Sequence, residues 1–225
     1  MTTHIESHSI SIPIGRDFIH GDLNVPRGSQ STVLFAHGSG SSRHSPRNKY
    51  VAQVLNKGGF STLLLDLLTA DEEAIDQRTA HLRFDIELLA GRLVSATDWL
   101  SARAAAEVRH IGYFGASTGA GAALVAAAKR PKVIEAVVSR GGRPDLAGSF
   151  LSAVRAPTLL IVGELDEVVI ELNRRAASEL RPLHKIEIVP GATHLFEERG
   201  ALEEVATMAR GWFEEHLSKS KTDVA

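Results

Sequence analysis

Short, mostly apolar runs recur along this chain at 33–36, 62–65, 110–114, 133–138, 158–162 and 185–189. Runs of this kind suit strands buried on both faces of a parallel sheet. Ahead of them, Ser9–Ile14 and Phe18–Val25 alternate between polar and apolar positions. The Gly15-Arg16-Asp17 turn between the two predicts an antiparallel hairpin at the entry to the sheet. The intervening segments read as helices over Asn48–Lys57, Arg83–Ala104, Ser117–Lys129, Glu167–Leu180 and Ala201–Leu217. The first of these stops at Gly58-Gly59. The second offers Phe84, Ile86, Leu88, Leu89, Leu93, Val94 and Leu100 for an inward face. Alternating strands and helices predict a doubly wound α/β fold, a mostly parallel sheet of about eight strands flanked by helices. Neither an internal repeat nor a linker-like tract interrupts the pattern, which predicts one domain over residues 1–225.

Composition narrows the class. Apolar residues at 44% and charged residues at 23% are ordinary for a globular chain. A formal charge of −2 gives no electrostatic case for nucleic acid or an anionic membrane. The cluster Arg43, Arg47 and Lys49 reads as a loop surface. There is no cysteine, which excludes disulfides, thiolate metal sites and a cysteine nucleophile. The start, Met1 to Glu6, lacks the basic and apolar stretches of a signal peptide. No segment approaches the roughly 20 apolar residues that span a bilayer. The expectation is a cytoplasmic protein, monomer or homodimer, with no metal and no cofactor.

Candidate chemistry centres on Gly115-Ala116-Ser117-Thr118-Gly119, between the run 110–114 and an alanine-rich helix former. A serine flanked by glycines on a strand-to-helix turn is the pattern of a nucleophile elbow. Glycines there remove Cβ atoms where strand and helix crowd, leaving Oγ exposed on a tight turn. The Thr118 amide then stands at a helix N-terminus, where an oxyanion is favoured. A phosphate-binding turn competes, with Glu135 as a ribose acid, but the glycine order does not fit G-x-G-x-x-G.

Around such an elbow the acid and the histidine follow the serine in chain order. Gly163-Glu164-Leu165-Asp166 closes the run 158–162 and supplies Asp166, with Glu164 as the rival acid. Asp166 could instead cap the next helix. Pro190-Gly191-Ala192-Thr193-His194 follows the last strand and places His194 ahead of the final helix. A neutral imidazole there would take the serine proton, and a carboxylate would fix its tautomer. His37-Gly38-Ser39-Gly40 follows the first parallel strand, so the Ser39 amide is the expected second oxyanion donor, with His37 bracing the loop.

These four segments together resemble the α/β-hydrolase superfamily over the whole chain, nearest to its dienelactone-hydrolase-like branch. The chain is also similar to hydrolase domains that in some bacteria follow a phosphoribosyltransferase domain. The resemblance implies an enzyme: a serine hydrolase acting through an acyl-enzyme intermediate. True dienelactone hydrolases carry a cysteine nucleophile, and serine at 117 turns the expectation from lactones toward general esters. Thioesterase, lactonase or peptidase action with the same triad, or an idle binding module, are the alternatives. The connection from Ser139 to Ala156 is too short for a helical lid, which implies an open cleft and small or solvent-extended ester substrates. Arg140, at the C-terminal edge of its strand, and Arg43, after the oxyanion loop, are the candidate substrate contacts. Arg140 could otherwise pair with Asp145, and Asp66 reads as a loop anchor.

Overall fold

The computed structural model describes residues 4–103 and 109–217. Its strands are β1 (Ile5–Ile14), β2 (Asp17–Pro26), β3 (Ser31–Ala36), β4 (Ser61–Leu65), β5 (His110–Ala116), β6 (Ile134–Arg140), β7 (Thr158–Gly163) and β8 (His184–Val189). They form one sheet in the order β1-β2-β4-β3-β5-β6-β7-β8. The β1–β2 hairpin joins antiparallel to β4, and the remaining pairs are parallel. This is the doubly wound sheet that the run pattern predicts.

Strand residues alternate between two cores. Leu34, Leu63, Tyr113, Val137 and Leu160 pack under α3 (Ile86–Arg103), α4 (Thr118–Lys129) and α5 (Glu167–Glu179). Their neighbours Val33, Leu64, Phe114, Val138 and Ile161 pack under α1 (Pro46–Lys57) and α6 (Ala201–His216). The inner runs are nearly all apolar because both their faces are covered, whereas edge strand β8 keeps Lys185 and Glu187. Inside the first core the Tyr113 hydroxyl donates to Thr97 Oγ1 at 2.6 Å, and Thr97 in turn donates to the Leu93 carbonyl at 2.8 Å. The chain thereby satisfies a buried phenol whose ionisation burial pushes up.

The helices differ from the sequence expectation at the starts of α1 and α3 and in an extra helix; α1 begins at Pro46, two residues ahead of the expected Asn48. The helix expected from Arg83 begins at Ile86, after a single 3₁₀ turn over Leu82–Phe84. Asp85 starts it, accepting the Leu88 amide on its side chain at 3.0 Å. Phe84 is consequently 57% exposed and does not face inward, whereas Leu89, Leu93 and Leu100 are buried. The expected end at Ala104 lies outside the described residues. An unforeseen helix, α2 (Ala70–Thr79), opens with a reciprocal capping box between Thr69 and Glu72.

The segment after β6 forms a kinked 3₁₀ stretch over Pro144–Ala153. Ala147, Leu151 and Val154 bury it in the core against α4 and α5, so it thickens the helical layer and does not roof the sheet edge. β3 and β5 are parallel, but the order in which strands are added reverses between them, and a crevice opens there at the carboxyl ends of the strands. Among the described residues no helix is long and apolar enough to cross a membrane.

Candidate active site

Ser117 occupies the turn between β5 and α4 with φ 51° and ψ −122°, a conformation that side chains rarely adopt. Neighbouring contacts hold it there. Its amide donates to the Arg140 carbonyl at 3.2 Å, and its carbonyl accepts the Arg143 amide at 3.0 Å. Oγ makes no cap to its own helix and stands in the crevice. A Cβ at Gly115 would lie 2.8 Å from the Ala120 nitrogen, and one at Gly119 would lie 2.7 Å from the Ala36 carbonyl carbon. Both flanking glycines are therefore steric requirements of the turn.

Asp166 and His194 come together across the ends of β7 and β8. His194 Nδ1 lies 2.6 Å from Asp166 Oδ2. Asp166 begins α5, yet its side chain does not cap that helix, because the imidazole holds the carboxylate instead. Glu164 has a different partner: its Oε2 accepts the Gly191 amide at 2.7 Å, pinning the Pro190-Gly191 loop that carries the histidine. Gly163 permits that approach, since a Cβ there would sit 2.6 Å from the Thr193 carbonyl oxygen. With Nδ1 engaged, Nε2 is the ring nitrogen left for the cleft, which His194 and Ser117 line together. Among the described residues no hydrogen bond joins Ser117 Oγ to the ring, a looseness frequent in unliganded serine sites.

The loop after β3 completes one wall. Gly38 lies so close that a Cβ on it would be 3.1 Å from Ser117 Cβ. Ser39 lines the cleft, and Thr118 supplies the first amide of α4, one of those with no intrahelical acceptor. His37 braces this loop from behind. Its Nδ1 donates to the Gly38 carbonyl at 2.9 Å, and its Nε2 accepts the Leu67 amide at 3.2 Å. Burial holds its basicity below the ordinary histidine value.

The two candidate arginines part company. Arg43 is bound by Asp66 and Asp22 at the β2–β4 side and does not line the serine cleft. Asp66 anchors the loop as expected, also accepting the Arg43 amide at 2.9 Å. Arg140 does line the cleft, and it is 7% exposed. Asp145 pairs with Arg143, so it is not the partner of Arg140. Burial, and then the charge of Arg47, push the Arg140 guanidinium down to about 10. Arg47 itself reaches the cleft wall, which its place in a surface-like cluster did not suggest. The readable signal was Ser45-Pro46 before it, a helix-start signature that puts Arg47 in the first turn of α1. The cleft has a volume of about 230 Å³. A larger depression of about 320 Å³ lies between the hairpin and α1, and Ser117, Asp166 and His194 do not border it.

Residues 28–218 match the family model described as the dienelactone hydrolase family. Curated proteins from two strains of Mycobacterium tuberculosis, described as a candidate phosphoribosyl transferase, are 54% identical over 213 residues. That match covers 95% of this chain and 47% of theirs, so the chain spans about half the length of the curated relatives it matches. A crystal structure of a dienelactone hydrolase from Anabaena variabilis has a TM-score of 0.92 at 57% identity, covering 95% of this chain and 99% of that one. A cold-adapted esterase from an Arctic intertidal metagenomic library has a TM-score of 0.77 over 97% of this chain and all (100%) of its own. Its 18% identity makes that a likeness of fold.

Proposed function

Because this chain belongs to the dienelactone hydrolase family, we propose that it is a serine hydrolase cleaving carboxylic esters through an acyl-enzyme intermediate. Ser117 Oγ adds to the ester carbonyl while His194 Nε2 takes its proton. The oxyanion is held by the Ser39 and Thr118 amides, and His194 returns the proton to the departing alcohol. Water then repeats the sequence on the acyl-serine, with His194 again as base. Asp166 holds the ring in the Nδ1–H tautomer throughout. The observation that carries this reading is the 2.6 Å contact between His194 and Asp166 beside a serine at positive φ.

The open crevice suits small or solvent-extended esters, and no step calls for a cofactor. On the same reading, residues 1–225 act as one cytoplasmic catalytic domain, monomer or homodimer. The transferase description belongs to proteins about twice as long, and we assign hydrolysis to the half that this chain matches. A fluorophosphonate probe tests the proposal: Ser117 should be labelled, and short p-nitrophenyl esters should be turned over. A protein that is neither labelled nor active would be a binding module on this fold.

A further inference from the structure

Among the described residues, Arg140 is a buried cation without a counter-charge. No carboxylate pairs with it among the described residues, and its Nε and Nη1 have no hydrogen-bond partner. Its Nη2 reaches only Asn48 Oδ1, at 3.5 Å. The guanidinium rests over the Phe196 ring, with Cζ 5.9 Å from the centroid. An uncompensated charge held out of water is strongly unfavourable unless something else in the site answers it. Its charged neighbour is Arg47, which repels it. Arg47 uses Nη1 on Glu197 at 2.8 Å and leaves Nε unpartnered. The amino end of α1 lies in the same wall, where Ser45, Arg47 and Asn48 border the cleft and the first turn carries no acidic residue. Ser45 Oγ already accepts the Asn48 amide at 3.3 Å and Pro46 has no N–H, so what this end offers an anion is the Arg47 amide and the positive end of the helix dipole.

Building on the hydrolase reading above, we propose that Arg140, Arg47 and the amino end of α1 form an anion subsite beside Ser117 that binds a phosphoryl group of the substrate. The substrates are carboxylic esters whose acyl or alcohol part bears a phosphate monoester. The phosphate is bound and not transferred; the bond that breaks is the ester C–O. A planar carboxylate would be met by one guanidinium edge alone. Here donors come from the end of β6, from α1 and from the Ser41 and Ser45 hydroxyls that also line the cleft, which suits a tetrahedral group. A phosphate monoester near neutral pH carries close to two negative charges, and it meets Arg140, which has no counter-charge among the described residues, and the free Nε edge of Arg47, whose Nη1 is held by Glu197.

The test compares kcat/KM for the butyryl ester of glycerol 3-phosphate with that for neutral butyryl glycerol. It is run beside calorimetric binding of inorganic phosphate to the Ser117→Ala protein. The phosphorylated ester should be preferred by about tenfold or more, and Arg140→Gln should lower that ratio by about tenfold. Phosphate should bind the Ser117→Ala protein and fail to bind once Arg140→Gln is added. Arg47→Gln, on the half-exposed flank, should lower the same ratio and keeps the test decisive if the Arg140 variant does not fold. Equal turnover of the two esters with no phosphate binding overturns the subsite and leaves the hydrolase reading standing. Phosphate binding without turnover of any ester does the reverse. A preference for 3-butyryloxybutanoate over the phosphorylated ester overturns the phosphoryl assignment.

Discussion

Ser117 sits at φ 51° because β5 must turn into α4 while its Oγ faces the crevice. A side chain held in such a region carries strain of about 1–3 kcal/mol, and glycine would relieve it. Ser117→Gly should therefore raise unfolding stability by about 1 kcal/mol while abolishing ester turnover, as urea unfolding of the two proteins would reveal. Asp166 and Glu164 are chemically alike and two residues apart, so the sequence left both open. The fold separates them by partner, one on the imidazole and one on the Gly191 amide. Asp166→Asn should lower kcat by about 10³–10⁴, whereas Glu164→Gln should act through loop placement and lower it by about tenfold at most. The opposite ranking in steady-state kinetics would make Glu164 the acid. Arg43 and Arg140 were equally eligible for the same reason: their partners, Asp22, Asp66 and Asn48, are remote in the chain.

α4 shows why some helices announce themselves. Thr118 through Ala127 are buried, wedged between α3 and the 3₁₀ stretch, and only small side chains fit so close an approach. That crowding is written locally as alanine and glycine. Replacing Gly119 with alanine would push a methyl into the carbonyls of Ala36 and His37, where β3 leads into the Gly38–Gly40 loop. The substitution should destabilise the fold by about 3 kcal/mol and weaken turnover together, measurable as parallel losses in thermal stability and kcat. α2 is the converse. Its one large apolar residue, Ile75, is 42% exposed, Asp76 is the buried one, and no apolar stripe marked it. Its capping box at Thr69 and Glu72 was the available sign, and Asp76 is satisfied by Arg83 beyond the helix end, at 2.6 Å.

Across the molecule, His37 ties the loop after β3 to the loop after β4. Both bonds together require a neutral ring, and burial keeps it neutral below the ordinary value of 6.5. The unfolded chain takes up that proton near 6.5 and the folded chain does not, so stability falls as pH drops below that point. The slope reaches at most about 1.4 kcal/mol per pH unit for one proton, and it ends where the folded ring protonates. Urea midpoints at about pH 7.5 and about pH 5.5 should differ less in His37→Gln than in the parent; an equal drop would discharge His37 from this role.

The layered sheet, and the placing of Ser117, Asp166 and His194 at the ends of three of its strands, were legible in the linear chain. Both rest on local chemistry: apolar runs where two faces are covered, and glycines where backbones touch. That Glu164 holds the Gly191 amide while Asp166 holds the imidazole, which arginine enters the cleft, and that Arg140 is buried there without a counter-charge among the described residues were not legible. Those follow from where the ends of β3, β5, β6, β7 and β8 converge, and a charge's environment is set by elements that the chain reaches only after folding.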